Sequence, residues 1–250
     1  MKKKLLIIIP ARAGSKRVKN KNIRKFKKSK NNQDTLLGIK IKSCLKVKNA
    51  KVIVSTESKK IANYAKKLGA EVPFLRSKIY ATDKASTFSV ILDVLRNLSK
   101  KNIFIPDYIG IMPATNPLLK SSSIINAFKE ILKKKSVNSI LSFTKPDDHP
   151  FNFIKLNNDK KIDFNIIKYQ GKKYSQFERT QDWPDAFVAS AALKISKKNF
   201  FLNKIKKKSP LINFKTFDMN SCVGYKILKK ESLDINNLED FEILNFKKNI

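Results

Sequence analysis

Six cations crowd a short stretch near the start of the chain: Arg12, Lys16, Arg17, Lys19, Lys21 and Arg24, with Ala13-Gly14-Ser15, Asn20 and Asn22 among them. These residue types suit a strongly anionic ligand. Small residues let backbone N–H groups approach phosphate oxygens, and flanking cations neutralise their charge. The order is neither G-x-x-x-x-G-K-[ST] nor G-x-G-x-x-G, so the P-loop and dinucleotide readings both fail. An ordinary strand-to-helix loop in a basic protein is the competing reading.

Few other residues offer chemistry. His149 is the only histidine, which leaves no basis for a Ser-His-Asp triad or a multi-histidine metal site. Cys44 and Cys222 lie far apart with no C-x-x-C, and are expected to be reduced thiols. Lys2–Lys4 precede an apolar stretch, but Pro10 and Arg12 interrupt it and no small-residue cleavage site follows. No apolar run reaches the ~18 residues of a membrane span. A cytoplasmic protein with no membrane partner is expected.

The elements that must hold the loop can be read from periodicity. Residues 5–9 form a continuous apolar run, the pattern of a strand buried on both faces. Strands are likewise predicted at 51–56, 71–75, 108–112 and 139–144, with helices at 35–45, 58–67 (closed by Gly69), 86–98 and 121–134. This alternation implies an α/β fold: a doubly wound, mainly parallel sheet in which ligands bind beyond the carboxyl ends of the strands. Between about 146 and 185 the pattern changes to short alternating pieces such as 151–156, read as an inserted strand or hairpin region within one domain spanning 1–250. Order returns at 186–195 and 214–219, and a last helix starts near Leu238.

The formal charge of +34 would ordinarily suggest nucleic acid. Yet only six of the 54 basic residues are Arg, namely Arg12, Arg17, Arg24, Arg76, Arg96 and Arg179. Lys, Asn and Ile abound from end to end, as an AT-rich genome would produce. The Lys runs also lack interleaved aromatics on which bases could stack. A solvated surface is expected, with no nucleic-acid partner. Where Lys is the default cation, a rare Arg can mark a place that needs a planar, bidentate donor.

The segment IIPARAGSKRVKNKNIRKF resembles the signature of the acylneuraminate cytidylyltransferase family, the CMP-sugar synthetases, with Arg12, Gly14, Ser15, Lys16, Lys21 and Asn22 in register. The likeness continues through KVIVSTESKKIANYAKKLGAEVPFLR, ending in Arg76, then ATDKAST (81–87), PATNPLL (113–119), RTQDWPDAFVASAALKI and SLDINNLEDFEI (232–243). It is weakest over about 145–178. The resemblance implies a nucleotide-diphospho-sugar transferase-like, Rossmann-like fold and a Mg²⁺-dependent reaction. CTP and a nine-carbon sugar acid would give the CMP-sugar and pyrophosphate, for surface glycan biosynthesis, in a homodimer.

It also implies roles. Arg12, Lys16 and Lys21 would be catalytic, holding the triphosphate and offsetting charge on the leaving group. Ala11, Arg12, Gly14, Ser15, Asn22, Arg76 and Ser86 would bind the nucleotide. Thr115, Asn116, Arg179 and Gln181 would face the sugar, with Arg179 suited to its carboxylate. The family's paired metal carboxylates fall on Asp234 and Asn236, so one position is an amide. Other departures are Pro113 for a Gln, Leu119 for an Arg, and Ser190-Ala191-Ala192 for N-G-A. Rival readings are a nucleotidyltransferase using another sugar or nucleotide, and a basic nucleic-acid-binding protein on an inactive scaffold.

Overall fold

A computed structural model describes residues 4–15, 17–26, 35–163, 167–205 and 215–247. Its main sheet has six strands: β1 (Leu5–Pro10), β2 (Ala50–Ser55), β3 (Tyr108–Ile111), β4 (Ser139–Thr144), β7 (Val188–Lys197) and β8 (Cys222–Lys226). Two short strands, β5 (Lys155–Leu156) and β6 (Ile162–Asp163), pair separately. The order across the main sheet is β2-β1-β3-β7-β4-β8. Pairing is parallel for β1 with β2, β1 with β3 and β4 with β8, while β7 runs antiparallel to both of its neighbours. Five strands therefore end at one edge of the sheet, and only β7 reverses.

Helices α1 (Leu36–Leu45), α2 (Lys59–Lys67), α3 (Thr87–Lys100), α4 (Ser121–Lys133), α5 (Lys198–Ile205) and α6 (Leu238–Lys247) complete the fold. Leu5, Ile7 and Ile9 of β1 pack with Leu37 and Ile41 of α1, Ile61 of α2 and Ile124 of α4. Leu6 and Ile8 point the other way, toward Phe88, Ile91 and Leu95 of α3 and Phe201 of α5. The unbroken apolar run of β1 is thus explained, because both of its faces are covered. A third small core of Phe26, Leu36, Ile235, Phe241 and Leu244 ties α6 to the end of the opening loop.

Local signals set the helix ends. The hydroxyls of Thr35, Ser58 and Ser86 accept from the backbone N–H of Gly38, Ile61 and Ser89, each capping a helix start. Gly69 takes φ +91° just beyond α2, the left-handed conformation that favours glycine at a helix end.

Three expectations need correction. No strand forms over 71–75: Glu71 alone makes a parallel bridge to Ile53, and the chain rejoins the edge only where Arg76 N–H donates to Thr56. Pro73 supplies no N–H to continue the pairing. Residues 151–156 are not one strand but a 3₁₀ turn (Pro150–Asn152) followed by β5. Asn152 N–H donates back to the His149 carbonyl, winding a turn where a ladder was expected. Of the strand expected over 214–219, residue 214 lies outside the described residues and 215–219 form a bend. Asp218 accepts from Asn138 Nδ2 and from the N–H of Asn220, so the chain turns before β8 begins.

Both cysteines are free thiols. Among the described residues no helix is long and apolar enough to cross a membrane.

Candidate active site

The carboxyl edge of the sheet carries a cleft of about 260 Å³. It is lined by Arg12, Ser15, Lys21 and Asn22 from the connection after β1, by Arg76, Tyr80, Thr82, Asp83 and Thr87 beyond β2, and by Thr115 beyond β3. Residues remote in sequence meet here because β1, β2 and β3 end side by side.

The opening loop is held from behind. Ala11 is fully buried and its N–H extends the edge of β1 by donating to the Ser55 carbonyl. Ala13 N–H donates to Glu57 Oε1 at 2.7 Å, and Ser15 N–H to the Ala13 carbonyl at 2.8 Å. A Cβ placed on Gly14 would meet nothing within 4 Å, so packing within the protein does not call for glycine there. Asn22, nearly buried, donates through Nδ2 to the Arg12 carbonyl at 2.9 Å and closes the loop upon itself. Lys16 lies outside the described residues.

Cations dominate the cleft. Arg76 is buried, with Nε donating to Ser55 Oγ, one terminal nitrogen to the Ser55 carbonyl and the other to the Tyr80 carbonyl. Burial pulls its guanidinium down to about 10, partly countered by Glu57 and Asp93 and reinforced by Arg12. It remains charged at neutral pH. Arg12 is more accessible and reaches across to Asp83, Nη2 to Oδ1 at 2.5 Å. Asp83, Tyr80 and Thr82 are cleft residues that sequence reasoning missed. For Thr82 and Asp83 the signal was available, since ATDKAST (81–87) carries the α3 cap Ser86 and lies at the same edge as the opening loop.

A second layer comes from the other end of the chain. Lys21 Nζ donates to the Ile235 carbonyl at 2.9 Å, and Ile235 N–H donates to the Thr115 carbonyl at 2.8 Å. Burial lowers the Lys21 ammonium from its ordinary value; Asp234 opposes this, Arg17 and Arg12 add to it, and Asp240 opposes it further. Asn116 is fully buried beneath the cleft, its amide donating to the Ser232 and Leu233 carbonyls. It thereby fixes the segment that presents Asp234. Ser86 stands at the α3 start with its hydroxyl on Ser89, beside the cleft lining.

Asp234 Oδ1 is buried without a hydrogen-bond partner, while Oδ2 accepts from Asn236 Nδ2 at 3.3 Å. Among the described residues no three His, Cys, Asp or Glu converge on one point. One carboxylate with an unused oxygen fits a magnesium ion that draws its other ligands from phosphate oxygens and water. Arg179 and Gln181 are not brought to the cleft. Both are exposed near the 3₁₀ turn Thr180–Asp182, where Arg179 pairs with Asp182 through Nε at 2.9 Å.

A family model described as Cytidylyltransferase matches residues 6–239. The post-translational flagellin modification protein B of Campylobacter coli is 30% identical over 247 residues, covering 97% of this chain and 94% of that protein. The CMP-N,N'-diacetyllegionaminic acid synthase of Campylobacter jejuni is 28% identical over 246 residues, with the same coverage of each. Matches to several other curated relatives extend over about half the length of those proteins. Among solved structures, CMP:2-keto-3-deoxy-manno-octonic acid synthetase complexed with CTP superposes with a TM-score of 0.68 at 11% identity, covering 98% of both chains. The fold is shared with that protein.

Proposed function

This chain belongs to the cytidylyltransferase family, and on that premise we propose that it activates a nonulosonic, sialic-acid-like sugar acid for glycan biosynthesis. CTP and the nine-carbon acid give the CMP-sugar and pyrophosphate. The observation that carries this reading is the gathering of Arg12, Lys21, Asn22, Arg76 and Thr115 in one cleft at the carboxyl edge of the sheet.

The chemistry follows from that lining. The anomeric hydroxyl attacks the α-phosphorus, the bond to the β-phosphate oxygen breaks, and negative charge builds on the departing pyrophosphate. Arg12 and Lys21 would meet that charge with cations in a partly desolvated site, where such contacts act most strongly. The Ala13-Gly14-Ser15 turn leaves room for phosphate against the backbone. Asn22 and Arg76 would address the cytidine, and Thr115 the sugar. Arg179 and Gln181 lie outside this cleft, and for Arg179 to meet the sugar carboxylate it would have to leave Asp182 and be carried to a cleft, its own or a dimer partner's. Asp234, with the Asn236 amide, would hold Mg²⁺, which when bound supplies charge neutralisation at phosphate oxygens. A homodimer is part of the proposal, supported by the exposed apolar residues Phe153, Ile154, Leu156 and Ile162 of the inserted region. So is a cytoplasmic location, which suits two free thiols.

The test is pyrophosphate release with Mg²⁺ and CTP across a panel of nonulosonic acids, with ATP, GTP and UTP as controls. CTP-specific release with one acid is expected. Turnover with another nucleotide, or none with folded protein, overturns the reading.

The amide at 236 leads to a separate expectation. Asn236→Asp should lower the Mg²⁺ concentration for half-maximal activity roughly tenfold, because a second anionic ligand faces the ion. Without metal the same change sets two carboxylates together, so Mg²⁺ should raise the melting temperature of the variant more than that of the parent. Unchanged metal titrations would remove position 236 from the metal site.

A further inference from the structure

We propose that Asp83 is a positioning residue for Arg12, a built-in competitor that the polyphosphate must displace on entry and that returns to Arg12 as pyrophosphate leaves. The inference rests on the CTP reading above. Arg12 and Asp83 both line the cleft, come from different connections and meet at 2.5 Å. A guanidinium presents the same planar fork to a carboxylate as to a phosphate, so Asp83 occupies a donor that a phosphate would use.

The pair is built to exchange. Its side chains are 34% and 43% exposed, the regime in which an ion pair contributes little and water can replace either partner. The Arg12 backbone is pinned by Asn22, so its guanidinium can swing while the loop stays in place. Arg76 offers the contrast: buried and committed to Ser55 and Tyr80, it cannot change partners without leaving polar groups unpaired. The cleft, at about 260 Å³, is also below the ~300–1,000 Å³ usual for ligand pockets. Parting Arg12 from Asp83 would widen it where the phosphates enter.

The experiment is calorimetric binding of inorganic pyrophosphate, CTP and cytidine to the full chain at fixed Mg²⁺, with melting curves to establish folding. Asp83→Asn should tighten pyrophosphate and CTP about twofold to fivefold, the scale of an exposed ion pair. Cytidine, which has no phosphate, should bind as it does to the parent. In an Arg12→Gln background, Asp83→Asn should have no further effect on pyrophosphate. Persistence of the tightening there would mean that Asp83 acts through its general field, and would overturn the inference. Equal tightening of cytidine, or weaker pyrophosphate binding, would do the same. Failure of the unaltered protein to bind CTP would instead overturn the parent reading.

Discussion

Lys21→Met is expected to lower kcat by about a hundred- to a thousandfold, the usual cost of removing one preorganised group that meets developing charge. The reasoning starts from position. Lys21 lines the cleft, yet its ammonium is bound to the Ile235 carbonyl, from the segment that carries Asp234. On the proposed reaction it would supply positive charge to the leaving group, and it joins the opening loop to the candidate metal segment. Burial lowers its pKa, with Arg17 and Arg12 adding to the effect and Asp234 and Asp240 opposing it. Activity should accordingly fall on the alkaline side at a pH below the ordinary lysine range, as the ammonium loses its proton. Lys21→Arg keeps a charge that does not titrate there, so it should retain more activity than Lys21→Met and lose that alkaline limb. Steady-state pyrophosphate release across pH checks both points. A Lys21→Met enzyme within threefold of the parent would show that the leaving group is met elsewhere.

The second large effect concerns stability. Lys40 lies on the inner face of α1, fully buried, and its ammonium has no hydrogen-bond partner. Burial pulls its pKa from 10.5 to about 8; Cys44 and Glu231 oppose the fall. Below about pH 8 the folded and unfolded chains are both protonated, and the full cost of burying the charge is present. Between about 8 and 10.5 the unfolded chain holds more protons, so stability rises with pH and the penalty fades. At about 1.4 kcal/mol for each pH unit, that penalty is about 3 kcal/mol. Lys40→Met, similar in length and apolar, should stabilise the fold by about this amount at pH 7, with the advantage gone above pH 10.5. Glu231 would not be stranded, because it accepts from Lys120 N–H, Ser123 Oγ and Leu228 N–H and makes no hydrogen bond to Lys40. Denaturant unfolding at pH 7 and pH 10.5 decides the matter. An advantage of the same size at both values would mean that it comes from packing rather than from charge.

The inward position of Lys40 could have been read from sequence. It stands four residues after Leu36 and four before Cys44, on the apolar stripe of α1. The general abundance of lysine hid it. Arg179 shows the opposite difficulty: its rarity drew attention, but the chain places it at an exposed turn beside Asp182.

What the sequence determined by itself was local. The unbroken apolar run of β1, the capped helix starts, the left-handed Gly69 and the phosphate-suited loop each depend on residues a few positions apart, whose chemistry acts over that range. The motif order likewise placed Arg12, Lys21, Asn22 and Arg76 at one edge, because parallel strands joined by helices present their carboxyl ends together. Tertiary structure alone decided the rest. The reversal of β7 depends on which neighbours it meets across the sheet. Lys21 reaches a carbonyl 214 residues away, and Asp83 finds Arg12 only because two separate connections face each other over the cleft. Asn116 turns beneath that cleft for the same reason: a buried amide needs carbonyl partners, and the returning chain at Ser232 and Leu233 supplies them. Hydrogen bonds and ion pairs between remote segments leave no periodic trace in the sequence, since their partners are chosen by the packing that brings them within reach.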